Sequence, residues 1–278
     1  FRKKEIFIDG DKSLSIRFVL LSSISDGKCS AINLLKSEDV LSAIKCVKKL
    51  GIKTKFKKNK CEITGKGLSG LKYKKNLILN AGNSGTTARL LCSLLVDSNF
   101  KIKIIGDQSL EKRDMKRIIE PLKKFGVNFK SNYGKLPLSL WRTKSLKPIS
   151  YTEDLGSAQC KSAIMIAALK TRGETKLKCL PSRNHTELMF KNIFKIPIKI
   201  KKKKKFEKIT IKGQKRLKAF NYNIPGDISS ASFFIVLTLL SKNKTLKIKN
   251  TNLNNSRTGI IKILKMMGAK IKFSKLST

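Results

Sequence analysis

The stretch Leu79–Leu95, LNAGNSGTTARLLCSLL, holds the residues best suited to chemistry. Gly82, Asn83, Ser84, Gly85, Thr86 and Thr87 lead into an apolar run from Leu90 to Val96. Small residues let a turn approach a ligand closely. Asn, Ser and Thr are favoured at helix N-caps. The apolar run behind them predicts a buried helix. The start of such a helix points backbone N–H groups and partial positive charge outward, which suits an anion. Arg89, one turn in, could add a full charge.

The pattern returns three times: GDKSLSIRFVLLSS from Gly10, GSAQCKSAIMIAAL from Gly156 and GDISSASFFIVLTLL from Gly226. The intervals between the four glycines are 72, 74 and 70 residues. A fixed period of this size is an internal repeat. Each unit reads as strand, helix, strand, helix, strand, strand, and four such units fill the chain.

In the first unit, Phe1–Ile8 is a predicted strand and Gly10–Ser25 a helix. Ile32–Leu35 is a predicted strand, Asp39–Leu50 a helix with Ser37 before it as cap, and Ile52–Phe56 and Cys61–Thr64 are strands. The second helices of the later units fall at Arg113–Phe125, Thr186–Ile196 and Arg257–Met267. Pro121 inside the first of these predicts an irregularity. The strands VNFK, PIKI and AKIKF follow them.

Composition narrows the functional classes. The 278 residues include 62 Lys and Arg against 18 Asp and Glu, a net charge of +44. Such an excess suggests a nucleic-acid or polyanion partner. The lysines, however, are spread along the whole chain beside abundant Ile and Asn, as biased codon usage would produce. No aromatic interleaving, RNP-like motif or zinc knuckle accompanies them. Only IKIKKKKK at Ile198–Lys205 is concentrated, and it reads as a solvated strand end or loop. Small anionic substrates are the economical partners, and nucleic acid is not expected. One histidine, His185, leaves no His-rich metal site. No metal or cofactor is expected. Six cysteines without a CxxC pair predict reduced, partly buried thiols. No apolar run approaches a membrane span, and FRKKEIFIDG lacks the apolar region of a secretory signal. A cytoplasmic, monomeric protein is expected.

Seven segments, in order over nearly the whole chain, carry a resemblance. They are GDKSLSIR, NAGNSGTTARLL, GDQSLEKRDMKRIIEPL, GSAQCKSAIMIAAL, SRNHTELM, IPGDISSASFF and NNSRTGIIKILKMMGA. In these the chain resembles the EPSP synthases, the 3-phosphoshikimate 1-carboxyvinyltransferases, and most closely the form with SAQ and SRDHTE motifs. The resemblance implies an α/β fold of two domains, each an inside-out α/β barrel of three repeated βαβαββ units, with the active site between them. It implies a complete domain at 13–223 and a partial one at 1–12 plus 224–278, with crossings near Lys12 and Tyr222–Pro225. Six units at this period would need roughly 420 residues; four are present. The family's catalytic glutamate, two further arginines and a late lysine are expected from the other two.

The implied reaction moves the enolpyruvyl group of phosphoenolpyruvate to the 5-hydroxyl of shikimate 3-phosphate, a step of aromatic amino acid biosynthesis. By the resemblance, Lys12 contacts both substrates, and Ser13, Arg17, Ser157, Ala158, Gln159 and Arg183 bind shikimate 3-phosphate. Gly85 and Arg113, with Gln159, bind phosphoenolpyruvate. Asp227 handles the hydroxyl proton and, with Lys12, is the expected catalytic pair. The competing expectation is a decayed enzyme scaffold that binds RNA or another polyanion.

Overall fold

The computed structural model describes residues 5–57, 59–213, 216–242 and 244–274. Three of the predicted units appear as four-stranded sheets of one topology. The first contains β2 (Asp26–Ile32), β3 (Lys53–Lys57) and β4 (Lys60–Lys66), with helices α1 (Lys12–Ser23) and α2 (Glu38–Lys49). The second contains β5 (Ile78–Asn80), α3 (Gly85–Leu94), β6 (Ile102–Ile105), α4 (Gln108–Glu111), α5 (Lys116–Lys124), β7 (Val127–Asn132) and β8 (Lys135–Arg142). The third contains β9 (Ser150–Glu153), α6 (Ala158–Leu169), β10 (Glu174–Cys179), α7 (His185–Leu188), β11 (Ile198–Lys202) and β12 (Glu207–Lys212). The second and third sheets run first, second, fourth, third strand: β5-β6-β8-β7 and β9-β10-β12-β11. The first two strands pair in parallel and the rest antiparallel.

Nearly every residue of helices α1, α3 and α6 is buried, the polar side chains among them included. A helix buried on every side has to sit inside the core. The strands alternate, as Glu174–Cys179 does with Thr175, Leu177 and Cys179 inward and the lysines between them outward. The sheets are therefore outside and the helices inside, as the family resemblance implied. All six cysteines are buried, unpaired thiols.

The first and fourth units exchange a strand. The parallel partner of β2 is β13 (Asn221–Asn223), not the strand that opens the chain. That opening strand, β1 (Glu5–Phe7), instead pairs in parallel with β14 (Lys247–Lys249) beside α8 (Ile228–Leu240) and α9 (Gly259–Met266). Counting along the chain put the opening strand in the first unit, whereas the resemblance grouped residues 1–12 with 224–278. A strand's partner is a long-range choice that local pattern does not encode. Residues 1–4 of that predicted strand lie outside the described residues. The two segments cross as an antiparallel pair: the Asp11 N–H donates to the Pro225 carbonyl at 2.8 Å, and the Asp227 N–H to the Asp9 carbonyl at 3.0 Å. At Gly10 a Cβ would lie 1.9 Å from the Asn33 carbonyl oxygen, so only glycine fits the crossing.

Four further expectations are corrected. The strand predicted at Ile32–Leu35 lies earlier, at Asp26–Ile32, where β4 pairs with it along its length. The helix predicted over Arg113–Phe125 starts later, α5 beginning at Lys116. A single turn, α4, precedes it, and a new start forms where Asp114 Oδ1 accepts the Lys116 N–H at 2.6 Å. Arg113 thus lies in the connection between α4 and α5. Pro121 sits within α5 and leaves the carbonyl four residues back without its helical donor; the Cys160 thiol, 3.1 Å from the Arg117 oxygen, takes its place. The helix predicted over Thr186–Ile196 is one α turn followed by a π-helical turn, Met189–Ile193. In AKIKF no strand forms among the described residues, so the fourth unit shows a two-stranded sheet only.

That fourth unit buries little. Of α8 only Ile228 and Ala231 are buried, while Phe233, Leu237 and Leu240 are 77%, 49% and 80% exposed. Met266 and Met267 beside α9 are 87% and 76% exposed. Contiguous apolar surface of this kind drives association, at about 1.5–3 kcal/mol per large side chain covered. Sedimentation of the chain alone is expected to show concentration-dependent self-association. Substituting Phe233, Leu237 and Leu240 by Ser is expected to suppress it. An equally monomeric wild type and variant would contradict this.

Candidate active site

The four Gly-led helix starts are all capped, but by two kinds of residue. At α3 and α6 the caps are Ser84 and Ser157, whose hydroxyls accept the N–H groups of Thr87 and Cys160 at 3.2 Å. At α1 and α8 they are Asp11 and Asp227, which accept from Leu14 at 3.0 Å and Ser229 at 2.8 Å. A carboxylate at a helix start already satisfies the dipole. Two of the four starts thus carry an acidic cap, while those of α3 and α6 are capped by neutral hydroxyls.

Two guanidinium groups gather at these starts. Arg17 on α1 is 3% exposed. Its Nε donates to Thr186 Oγ1 at 2.8 Å, Nη2 to Ser162 Oγ at 2.9 Å and Nη1 to the Ser13 carbonyl at 3.1 Å. These bonds tie α1 to α6 and α7. Burial lowers its pKa to about 10, with nearby Glu187 and Asp11 opposing, so it stays charged at neutral pH. Arg183 is exposed, and its charge reaches both Arg17 and His185. Arg89 on α3 is the second centre. Its Nη1 donates to Gln159 Oε1 at 2.6 Å, and Gln159 Nε2 donates to Thr86 Oγ1 at 2.9 Å. Burial, then the charges of Arg117 and Arg113, depress the Arg89 pKa. Arg113 itself is exposed and donates to Asn83 Oδ1 at 3.0 Å. At Gly85 a Cβ would stand 3.0 Å from Arg89 Nη1 and 3.4 Å from Arg113 Nη1. Glycine leaves the room in which both groups can face a ligand.

Gln159 on α6 connects to the second centre, and Ser162, one turn on, to the first. Ala158 is buried beside Ser157 and has only backbone groups to offer a ligand. Ser13 contributes its carbonyl to Arg17. The Lys12 ammonium is 3.6 Å from Asp39 and half exposed, while the Asp39 carbonyl accepts from Thr87 Oγ1 of α3 at 3.4 Å. Lys12 thus leans towards the α3 start. Asp227 accepts from Ser229 and from Arg257 Nη2 at 3.2 Å with Oδ1, and from the Lys12 N–H at 3.3 Å with Oδ2.

A model of the EPSP synthase family, the 3-phosphoshikimate 1-carboxyvinyltransferases, matches residues 2–278. This chain belongs to the EPSP synthase family. The 3-phosphoshikimate 1-carboxyvinyltransferase of Petrotoga mobilis is 42% identical over 273 residues, which is 96% of this chain and 62% of that protein. The Streptococcus pyogenes serotype M2 protein of the same name is 40% identical over 275 residues, 98% of this chain and 63% of its own. A 2.37 Å structure of EPSP synthase from Acinetobacter baumannii superposes with a TM-score of 0.86 at 34% identity, over 96% of this chain and 59% of that one. The chain thus spans about three fifths of the relatives it matches. These EPSP synthase matches give no support to the decayed, polyanion-binding scaffold.

Sequence reasoning passed over Arg257, Asn184 and the buried Lys161. Arg257 read as the first residue of a helix, yet α9 begins at Gly259 and Arg257 faces the carboxylates of Asp11 and Asp227. Its position next to an Asn-rich turn was the available signal. His185 is 2% exposed, and its Nε2 has no hydrogen-bond partner among the described residues. Burial first, then Arg17 and Arg257, hold its pKa down to about 3, against about 6.5 in an unfolded chain. A depressed histidine favours folding above the unfolded value and loses that advantage as pH falls through it towards 3. The expected loss is about 1.4 kcal/mol per pH unit below 6.5. Urea midpoints at pH 7.5 and pH 5 check this. His185→Gln should flatten that part of the curve, whereas a variant curve parallel to wild type would exclude His185 as its source.

Proposed function

We propose that the chain acts as a 3-phosphoshikimate 1-carboxyvinyltransferase and supplies the shikimate 3-phosphate site with part of the phosphoenolpyruvate site. The observation that carries this reading is the pair of guanidinium centres at the starts of α1, α3 and α6, with Gln159 and Ser162 of one helix reaching both. Two phosphates and a carboxylate need many N–H and cationic donors around one cleft. Arg17, Arg183, Ser13, Ser157, Ala158 and Gln159 hold shikimate 3-phosphate. Arg113 holds the phosphate of phosphoenolpyruvate, with Gly85 leaving it space. Lys12 stands between the two groups as a mobile point charge. Protonation of the enol methylene makes C2 electrophilic. The 5-hydroxyl then adds at C2 and gives up its proton, and the tetrahedral intermediate loses phosphate from C2 and a proton from its methyl, which restores the enol double bond.

The base role expected of Asp227 has the least geometric support, because both oxygens are already engaged. A holding role accounts for those bonds directly. The domain division at 13–223 against 1–12 with 224–278 is part of the same proposal. It is supported by separate apolar clusters, one of which gathers Ile8, Ile228, Ala231 and Ile261. Among the described residues no helix is long and apolar enough to cross a membrane. A cytoplasmic location is proposed on the six unpaired thiols. A monomer is proposed for the state in which the α8 and α9 faces are covered.

Calorimetric titration with shikimate 3-phosphate at moderate salt tests the reading. Saturable one-to-one binding, tighter than that of inorganic phosphate by at least about tenfold, is expected from the extra ring contacts. A folded chain that binds neither, or both alike, overturns it.

A further inference from the structure

We infer that Arg257 is a positioning residue that fixes the start of α1, and with it Lys12, by clasping the helix caps Asp227 and Asp11 across the chain crossing. This rests on the proposal that Lys12 contacts substrate. The two caps stand on opposite sides of the crossing, Asp11 before α1 and Asp227 before α8. One guanidinium reaches both: Nη2 donates to Asp227 Oδ1 at 3.2 Å and to Ser229 Oγ at 2.7 Å, and Nη1 lies 3.8 Å from Asp11 Oδ2. Asp11 is fully buried, and a buried carboxylate needs a charge partner and hydrogen bonds. It obtains them from the turn before α9, where Asn252 Nδ2 also donates to Asp11 Oδ2 at 3.2 Å. The same turn grips the third unit, because Asn254 Nδ2 donates to Asn184 Oδ1 at 2.8 Å. The free oxygen of Asp227 then takes the Lys12 N–H. The relay runs from Arg257 through Asp227 to the backbone of Lys12. Arg257 has no need to touch substrate to act in it.

Backbone amide exchange by NMR reads the relay without any ligand. Arg257→Ala is expected to speed exchange of the Lys12 and Ser229 amides by about tenfold or more, the size of one lost charge-assisted hydrogen bond. Arg257→Lys should restore part of the protection, and amides deep in α1, such as Leu20, should not change. Asp227→Asn should reproduce the effect, and combining it with Arg257→Ala should add little. Affinity for shikimate 3-phosphate should fall about tenfold in each single variant and no further in the double. Unchanged exchange at Lys12, or full additivity in the double variant, overturns the inference. So does an affinity that is unmoved while Lys12 is freed. If Arg257→Ala does not fold, Asp227→Asn and Arg257→Lys decide the exchange question alone. If the wild-type chain binds no shikimate 3-phosphate, the functional reading fails, while exchange at Lys12 still decides the relay.

Discussion

Replacing Arg17 by Ala is expected to weaken shikimate 3-phosphate binding roughly 10²–10³-fold, as truncation of one partner in a buried, hydrogen-bonded charge pair does. The guanidinium is held from three sides, by Thr186, Ser162 and the Ser13 carbonyl, and so is aimed before any ligand arrives. Arg17→Lys is expected to recover little, because an ammonium on a flexible stem cannot span Thr186 and Ser162 as a planar fork does. Folding should suffer much less than binding. Thr186 Oγ1 already donates to Ser162 Oγ at 2.8 Å, so the two hydroxyls stay paired when the arginine is gone. Calorimetry beside urea unfolding separates the two effects. A binding loss no larger than the stability loss would assign Arg17 to packing alone.

Lys161→Met should be the most damaging single change to stability, at about 3–5 kcal/mol, the cost of breaking a buried ion pair from one side. The Lys161 side chain is wholly buried on α6, 2.6 Å from Glu187 Oε1 and 3.5 Å from Glu207 Oε2, and it also donates to the Ser182 carbonyl at 3.5 Å. It fastens α6 to the segment that presents Arg183. Burial already raises the Glu187 pKa against the pull of Lys161. Without the lysine that carboxyl rises further. A carboxyl with a raised folded pKa favours folding at low pH and costs stability as pH climbs past the unfolded value near 4.3. The deficit of the variant should therefore be larger at pH 8 than at pH 5. Adding Glu187→Gln should recover part of it. A deficit independent of pH would mean that Glu187 is not the group left uncompensated.

Much of this architecture is legible in residue order. Gly10, Gly82, Gly156 and Gly226 mark the starts of four apolar helices because a small residue, a polar cap and an apolar run are local requirements that recur with the unit. The illegible part is non-local or arises from competition. Nothing in EIF or NYN says that these strands trade places between the first and fourth units, since each reads equally well beside its neighbour. Arg113 falls before α5, which begins only at Lys116, where Asp114 Oδ1 accepts the Lys116 N–H; the continuous amphipathic pattern does not show that later start. The arginines of the candidate site were readable as charges within matching motifs. What each one touches was not. Arg17 finds Thr186 and Ser162 through packing of three helices, and Arg257 acquires a role only once two caps from distant segments meet it. Asp227 shows the same limit from the other side: the motif suggests proton transfer, while the fold shows a carboxylate shared among a helix cap, an arginine and a backbone N–H.

The most direct test of the central claim is backbone hydrogen exchange across the whole chain with and without shikimate 3-phosphate. The account predicts protection confined to the starts of α1 and α6 and to the segment from Arg183 to Leu188, with the lysine-rich outer faces of the sheets unchanged. Protection on those outer faces, or none at the helix starts while the ligand is bound, would contradict it.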